Sequence, residues 1–470
     1  MSVSATGSID TSKSSASRVH PYVWGNFIED FRDHMDAMLA YPLQGMDFEQ
    51  CSTAQNGVSE HWTPITNGKS TQFHLAPAAP LHSGHSQRIK IHAGDRGFAG
   101  ISQIISVQEN STYVLTIYAR ASLEVESTTA DLVNAPSGEI VSSAEVRFTS
   151  HDWREYKATL DVPVGVTVVH FCLRIFAGDW EDSPRKGNVW LDHVSLLPTD
   201  HVVGVKRKVF EMTRDLHCGL MRFGGNYISS YHWKQLVGPT YHRPSLLNEV
   251  WGGWATKYFG TDEFLLFCRE CQLEPLICIN FGSGTPEEAA EWVEYCNGAI
   301  DTPMGALRAS HGFEEPFNVR YWEVGNEVCG NWQIGHCDAT TYAHRYLDFA
   351  RAMKDADPTI MLLGCGHVDS EWNQPVLDIA GSHMDMLTIH IYPVVQRLGV
   401  KNKRDRVGVF EKMRCFSEYT RHILDEANAL IRNGADFQHV KLAITEYNTM
   451  YYGADDRKGP LRGCESATLW

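Results

Sequence analysis

From about residue 200 onward, short apolar runs alternate with amphipathic stretches, and this alternation constrains the fold more than any other feature. The runs at 219–223, 275–281, 321–324, 360–364, 386–391 and 441–445 read as strands. Patterns of helical period lie between them, as at 262–272 and 342–355. Strands that are apolar throughout are covered on both faces, and helical crossovers join them in parallel. Thr285-Pro-Glu-Glu288 starts a helix directly after a strand, with a capping residue and Pro at the first helical position. Counting 22–28 as a first strand gives seven, one short of the eight that close a (β/α)8 barrel. The expected class is therefore α/β, a TIM barrel whose sequence stops after strand seven.

Residues 48–199 have a different texture. Period-two alternation, as in 113–119 and 171–175, is punctuated by turns such as VNAPSGE and SPRKGN. That is the pattern of an antiparallel β-sandwich. The expected domains are 1–47 (N-terminal segment and first barrel strand), 48–199 (inserted sandwich) and 200–470 (catalytic barrel lacking its C-terminal end).

Composition narrows the function. With 41 basic and 57 acidic side chains, the net charge of −16 argues against a nucleic-acid surface. No uncharged apolar run is long enough to span a membrane. The N-terminus lacks a basic n-region and an apolar h-region, so a cytoplasmic protein is expected, with a secreted form left open. The 12 cysteines are scattered; Cys218, Cys278 and Cys365 sit in apolar runs and read as buried thiols. Cys268 and Cys271 read as two thiols on one helix, and His82, His85 and His92 as solvated side chains. No metal or organic cofactor is expected. The Gly282-Ser-Gly284 loop reads as a strand-to-helix turn, since it lacks the lysine of a phosphate loop.

The polar residues fall at strand ends, where a barrel builds its site. Strand four ends at Asn326-Glu327 and strand seven at Glu446. A lone glutamate at a strand end is usually a rim charge. Two at one mouth suit glycoside cleavage, one protonating the leaving oxygen and the other attacking the anomeric carbon.

These stretches resemble glycoside hydrolase family 51 of clan A, the α-L-arabinofuranosidases. The resemblance rests on GNFIED (25–30), MRFGGNYISSYHWKQLVGP (221–239), FGTDEFLLFCRE (259–270), EPLICINFGSGTPEEAAEWVEYCNG (274–298), YWEVGNEVCGNWQIGH (321–336) and ITEYN (444–448). It implies Glu327 as acid/base and Glu446 as nucleophile, with Asn326 on the sugar 2-hydroxyl. It also implies Glu29 and Asn226 as contacts to the furanose, Arg222 beside the nucleophile, and His390 and Tyr392 as its positioning residues. Trp332 and Gln333 would line the leaving-group side. The family's Arg-aromatic-Pro-Gly-Gly-Asn lacks its proline here, and Met450 stands where the family has tryptophan, followed by Tyr451 and Tyr452. Residues 188–196 resemble the end of a family 4-type carbohydrate-binding module, with Trp62, Trp153 and Trp180 as candidates for a sugar platform or for the core.

The resemblance implies a retaining, exo-acting α-L-arabinofuranosidase on arabinan or arabinoxylan fragments. The rival readings are a clan A endo-β-1,4-glucanase or β-xylosidase and a non-catalytic carbohydrate-binding protein. The partner would be an arabinose-containing oligo- or polysaccharide, with a homo-oligomer left open. Glu327 is expected to hold its proton more tightly than Glu446, and the two carboxyl groups to lie about 5–5.5 Å apart. The missing eighth strand and C-terminal sandwich lead to the expectation of a truncated product, poorly soluble and nearly inactive.

Overall fold

The computed structural model describes residues 20–31, 34–50, 57–67, 71–77, 81, 84–92, 97–122, 127–176, 186–392 and 416–448. His82, Trp180, Met450, Tyr451 and Tyr452, the His92 side chain and residues 5–14 lie outside the described residues.

Seven parallel strands form the barrel sheet, in chain order Gly25–Ile28, Leu220–Phe223, Glu274–Ile279, Tyr321–Val324, Met361–Cys365, Met386–Ile391 and Lys441–Tyr447. Spatial order equals chain order, as a singly wound α/β barrel requires. A second-strand side chain, Arg222, touches carboxylates of the fourth and seventh strands, so the sheet curls round on itself. Among the described residues the first and seventh strands pair with one neighbour each.

Helices cover the outside. The predicted helices at 262–272 and 342–355 are Thr261–Cys271 and Ala339–Ala356. The second starts at Asp338, whose carboxylate accepts the Thr341 backbone N–H at 2.9 Å. Pro286–Asn297 is capped by the Thr285 hydroxyl, which accepts the Glu288 N–H at 3.2 Å. The expected reciprocal half of that capping box is not formed: the Glu288 carboxylate turns to His232 Nδ1, 2.9 Å away.

The insert is two antiparallel five-stranded sheets. One runs Thr63–Thr66, Phe98–Ser106, Val168–Phe176, Ser127–Asn134, Ile140–Glu145; the other runs Gln72–Ala76, Ser86–His92, Lys186–Pro198, Ser111–Ala121, Arg154–Val162. Inward positions such as Ile101, Leu115, Leu132, Phe171 and Leu191 are fully buried between them. The sandwich meets the barrel where Tyr118 stacks on Tyr241, ring centroids 4.2 Å apart.

Several single-residue expectations change. Trp62 is buried, donates its indole N–H to the Gly45 carbonyl at 2.8 Å and packs on Phe48 and Phe171, so it is core and not platform. Trp153 is half-buried with the Arg120 guanidinium 5.5 Å from its ring. Cys278 and Cys365 are buried as expected, but Cys218 is only half-buried and accepts the Asn26 amide. His85 is not simply solvated, because its backbone N–H and Nδ1 both meet the Glu49 carboxylate. Cys268 and Cys271 are buried on one helix, and burial pushes their thiols up, Cys271 to about 11.

Candidate active site at the barrel mouth

Arg222 lies at the centre of the mouth. Strand alternation turns Met221 and Phe223 outward and Arg222 inward, where its guanidinium is 1% exposed. A buried guanidinium needs partners for its fork of donors. Nε donates to Glu323 at 2.5 Å, Nη1 to Glu446 at 2.7 Å and Nη2 to the Asn326 side-chain oxygen at 2.7 Å. The Asn326 amide then donates to Asn226 Oδ1 at 2.9 Å, which brings Asn226 into the site without the family's proline.

Glu327 follows the fourth strand across a sharp turn. Gly325 has φ 89°, and a Cβ there would sit 2.9 Å from Phe281 Cβ. Glu327 itself has φ 43°, a left-handed conformation unusual for glutamate. Its two oxygens accept from Trp332 Nε1 and meet His390 Nδ1, each at 3.0 Å. Trp332 is 59% exposed and flanks Glu327 at the opening. Gln333, by contrast, is buried against Ser229 and the Asn226 carbonyl, where it braces the loop carrying Asn226.

Glu446 reaches the interior through a bulge. Ile444 pairs with Ile389 but Glu446 pairs with His390, so Thr445 is an extra residue on the seventh strand. Ala443 packs on the barrel-interior residues Leu276, Tyr321 and Leu363, so Thr445 is inward by alternation. The bulge turns Glu446 inward as well. Its oxygens accept from Arg222 and from the Tyr392 hydroxyl, the latter at 2.5 Å. Burial and the Glu446 charge raise the Tyr392 hydroxyl far above its ordinary value, so it stays a donor. An oxygen of Glu327, an oxygen of Glu446 and a His390 ring nitrogen all lie within 4.8 Å of one another. This matches the close spacing of a retaining pair and not the roughly 6.5–9.5 Å of an inverting one.

The hydrogen bonds also count protons. The Thr445 hydroxyl donates to Glu323 at 3.1 Å, so it accepts from His390 Nε2 at 3.0 Å. With Nε2 protonated, one further proton is shared between His390 Nδ1 and Glu327. Burial raises the Glu327 carboxyl, but the His390 hydrogen bond and charge outweigh it and leave it below its ordinary value. Burial lowers the His390 imidazole, yet Glu446 and Glu327 bring it above its ordinary value. Both directions favour the charged pair of Glu327 and His390, whereas the sequence led to the expectation of a raised Glu327 carboxyl.

Glu29 stands just past the first strand. Its Oε1 accepts from the Tyr227 N–H at 3.0 Å and from Trp251 Nε1 at 2.7 Å. Burial, only partly offset by those bonds, raises its carboxyl to about 7. A Cβ on Gly225, φ 88°, would sit 2.2 Å from the Glu29 carboxyl carbon, so the glycine makes room for it.

Among the described residues, Glu327, His390 and Glu446 are the one group close enough to hold a metal ion. Their ligand atoms already face Arg222, Tyr392, Trp332, Thr445 and one another. Sequence reasoning missed Glu323, Thr445 and Trp251. A carboxylate inside the apolar run Tyr-Trp-Glu-Val was a readable signal for Glu323, since a charge facing a barrel core demands a cation.

A curled parallel sheet with a close carboxylate pair at its C-terminal end is the arrangement that barrel glycoside hydrolases share. Residues 212–413 match the Alpha-L-arabinofuranosidase 1 domain. A probable alpha-L-arabinofuranosidase C of Aspergillus clavatus is 41% identical over 203 residues, 40% of each chain. An intracellular exo-alpha-(1->5)-L-arabinofuranosidase of Streptomyces lividans is 36% identical over 204 residues, 42% of this chain and 31% of that one. The matches thus span less than half the length of these curated relatives. A crystal structure of an arabinofuranosidase superposes with a TM-score of 0.50 at 35% identity, over 54% of this chain and 51% of that one. An arabinose-bound GH51 arabinofuranosidase shares the fold over 82% of this chain and 64% of its own, with TM-score 0.67 and 21% identity. Over these residues the barrel is similar to the α-L-arabinofuranosidases of glycoside hydrolase family 51. No described helix is long and apolar enough to cross a membrane.

Proposed function

We propose that the chain is a retaining α-L-arabinofuranosidase that releases terminal arabinofuranosyl residues from arabinan- or arabinoxylan-type oligo- and polysaccharides. The observation that carries this reading is the approach of Glu327 and Glu446 within 4.8 Å, with Arg222 and Tyr392 both donating to Glu446. Glu446 attacks the anomeric carbon while the glycosidic C–O bond breaks. Glu327 delivers to the leaving oxygen the one proton that it shares with His390 Nδ1, and is left as carboxylate. Water then attacks the glycosyl ester, gives its proton to Glu327, and Glu446 returns as carboxylate. The Asn326 amide, fixed by Arg222 and Asn226, has one N–H left for a sugar hydroxyl. Among the described residues nothing bonds Glu29 Oε2, which is left to face the furanose as a neutral donor below about pH 7.

In this reading residues 1–47 supply the first strand, 48–199 the inserted sandwich and 200–470 the catalytic barrel, and the protein works in the cytoplasm, as the intracellular relative's name supports. The test is hydrolysis of p-nitrophenyl α-L-arabinofuranoside with the product anomer followed by NMR. Retention is expected; inversion, or turnover of a glucoside or xyloside in preference, would overturn it.

A further inference from the structure

Beside the catalytic mouth lies a second cavity of about 170 Å³ that the proposed hydrolysis does not use. Tyr227, Ser230, Gln235, Leu246, Leu247 and Lys257 line it. It shares a wall with the sugar site: the Tyr227 backbone N–H holds Glu29, and the hairpin bearing Leu246–Leu247 and Trp254–Ala255 also carries Trp251, the other donor to Glu29.

Lys257 is the unusual member. It is 5% exposed, has φ 57°, and its ammonium donates to one side chain, Gln235 Oε1, at 2.7 Å. Among the described residues no carboxylate lies within ion-pair distance of it. Glu249, the one acidic residue lining the cavity, stands exposed at the rim. His232, also in the wall, is taken by Glu288. Burial brings the Lys257 ammonium down to about 8, so near neutral pH it still carries its charge. Buried charges are normally paired, and one left unpaired against a cavity invites an anion. A single ammonium without an arginine fork suits a carboxylate. The exposed Leu246 and Leu247 and the Tyr227 ring suit the carbon face of a sugar, and the volume suits one ring.

We propose that this cavity is a subsite for a uronic acid unit of the polysaccharide, its carboxylate seated on Lys257. The proposal rests on the hydrolase reading only in taking a saccharide as the ligand.

The test is calorimetric titration of the 470-residue chain with D-glucuronate, D-glucose and inorganic phosphate. Saturable glucuronate binding is expected, at least tenfold tighter than either control. Lys257→Met should weaken it tenfold or more and leave the melting temperature equal or higher, because a buried unpaired charge is removed. Gln235→Glu keeps the lysine but supplies an internal carboxylate, and should weaken glucuronate to the same degree. Glucose or phosphate binding as tightly as glucuronate, or glucuronate binding both variants like the parent, would overturn the proposal. Binding is read without turnover. An active enzyme that ignores glucuronate refutes the subsite alone, whereas an inactive protein that binds it refutes the hydrolase reading alone.

Discussion

The interior of the sandwich and the polar cluster beneath the barrel mouth are both buried, yet they are filled on opposite principles. Between the sandwich sheets lie Ile101, Leu115, Leu132, Leu173 and Leu191, each fully buried and each held by shape and apolar area alone. At the mouth lie Arg222, Glu323, Asn326 and Glu446, just as buried, each held by its partners' charge and hydrogen bonds. An apolar interior degrades gradually as atoms are removed. A polar one fails when a partner goes, because the group left behind is a charge out of water.

The largest expected effect tests the chemistry of that difference. Glu446→Ala should lower turnover by about 10⁴-fold or more, as loss of a nucleophile does. Glu327→Ala should spare substrates whose leaving group needs no proton and cripple the rest; kcat on a graded series of aryl arabinofuranosides measures both. Near-normal turnover by Glu446→Ala would remove the nucleophile assignment.

Next comes stability at the mouth. Arg222→Met strands Glu323 and Glu446 without their cation and should cost about 3–5 kcal/mol in denaturant unfolding. Its counterpart in the sandwich, Leu173→Ala, should cost about 2–5 kcal/mol by the cavity it leaves. The comparison is sharpened by activity per folded molecule, kept on a nitrophenyl arabinofuranoside by Leu173→Ala and lost by Arg222→Met. Equal losses of activity would mean that the two interiors are coupled.

A smaller effect is expected at Gly225. Adding a methyl group there strains a positive φ, costing about 1–3 kcal/mol, and pushes the Glu29 carboxyl away. KM should rise more than kcat falls.

The smallest effect is a pH slope. Burial raises the Glu29 and Asp30 carboxyls to about 7, so the folded chain holds protons that the unfolded chain releases near its ordinary carboxylate values. Their contribution to stability is present at low pH and lost as pH rises toward about 7. Glu29→Gln should flatten the decline of melting temperature over that window; an unchanged slope would place the titration elsewhere.

The strands and helices were legible because barrel strands are apolar throughout and their helices keep strict period. Glu327 and Glu446 were legible because two glutamates closing apolar strands at one mouth have few other reasons to be there, and Arg222 was legible through the family resemblance. Glu323 was overlooked because it sits inside such a run, where the pattern reads as core. Trp251 meets Glu29 across 222 positions of sequence, and no local pattern announces such a contact. Trp62 shows the opposite failure, an aromatic residue whose type suits a sugar face and whose position serves the core. The proton on His390 Nε2 was illegible for a further reason: it depends on the Thr445 hydroxyl, whose role only the chain of partners from Glu323 to His390 decides.

Thr445 and Glu446 follow one another and both point into the mouth. A regular pleated strand is a two-sided ribbon and offers any one compartment every second residue. The unpaired residue makes the ribbon locally one-sided. The seventh strand therefore delivers the Glu446 carboxylate, the nucleophile of the proposed mechanism, and the hydroxyl that holds His390 Nε2 from neighbouring residues. Removing Thr445 would keep the glutamate in phase with Ala443, facing inward, and yet leave His390 without its acceptor: an intact outline of the site with its protonation set wrong.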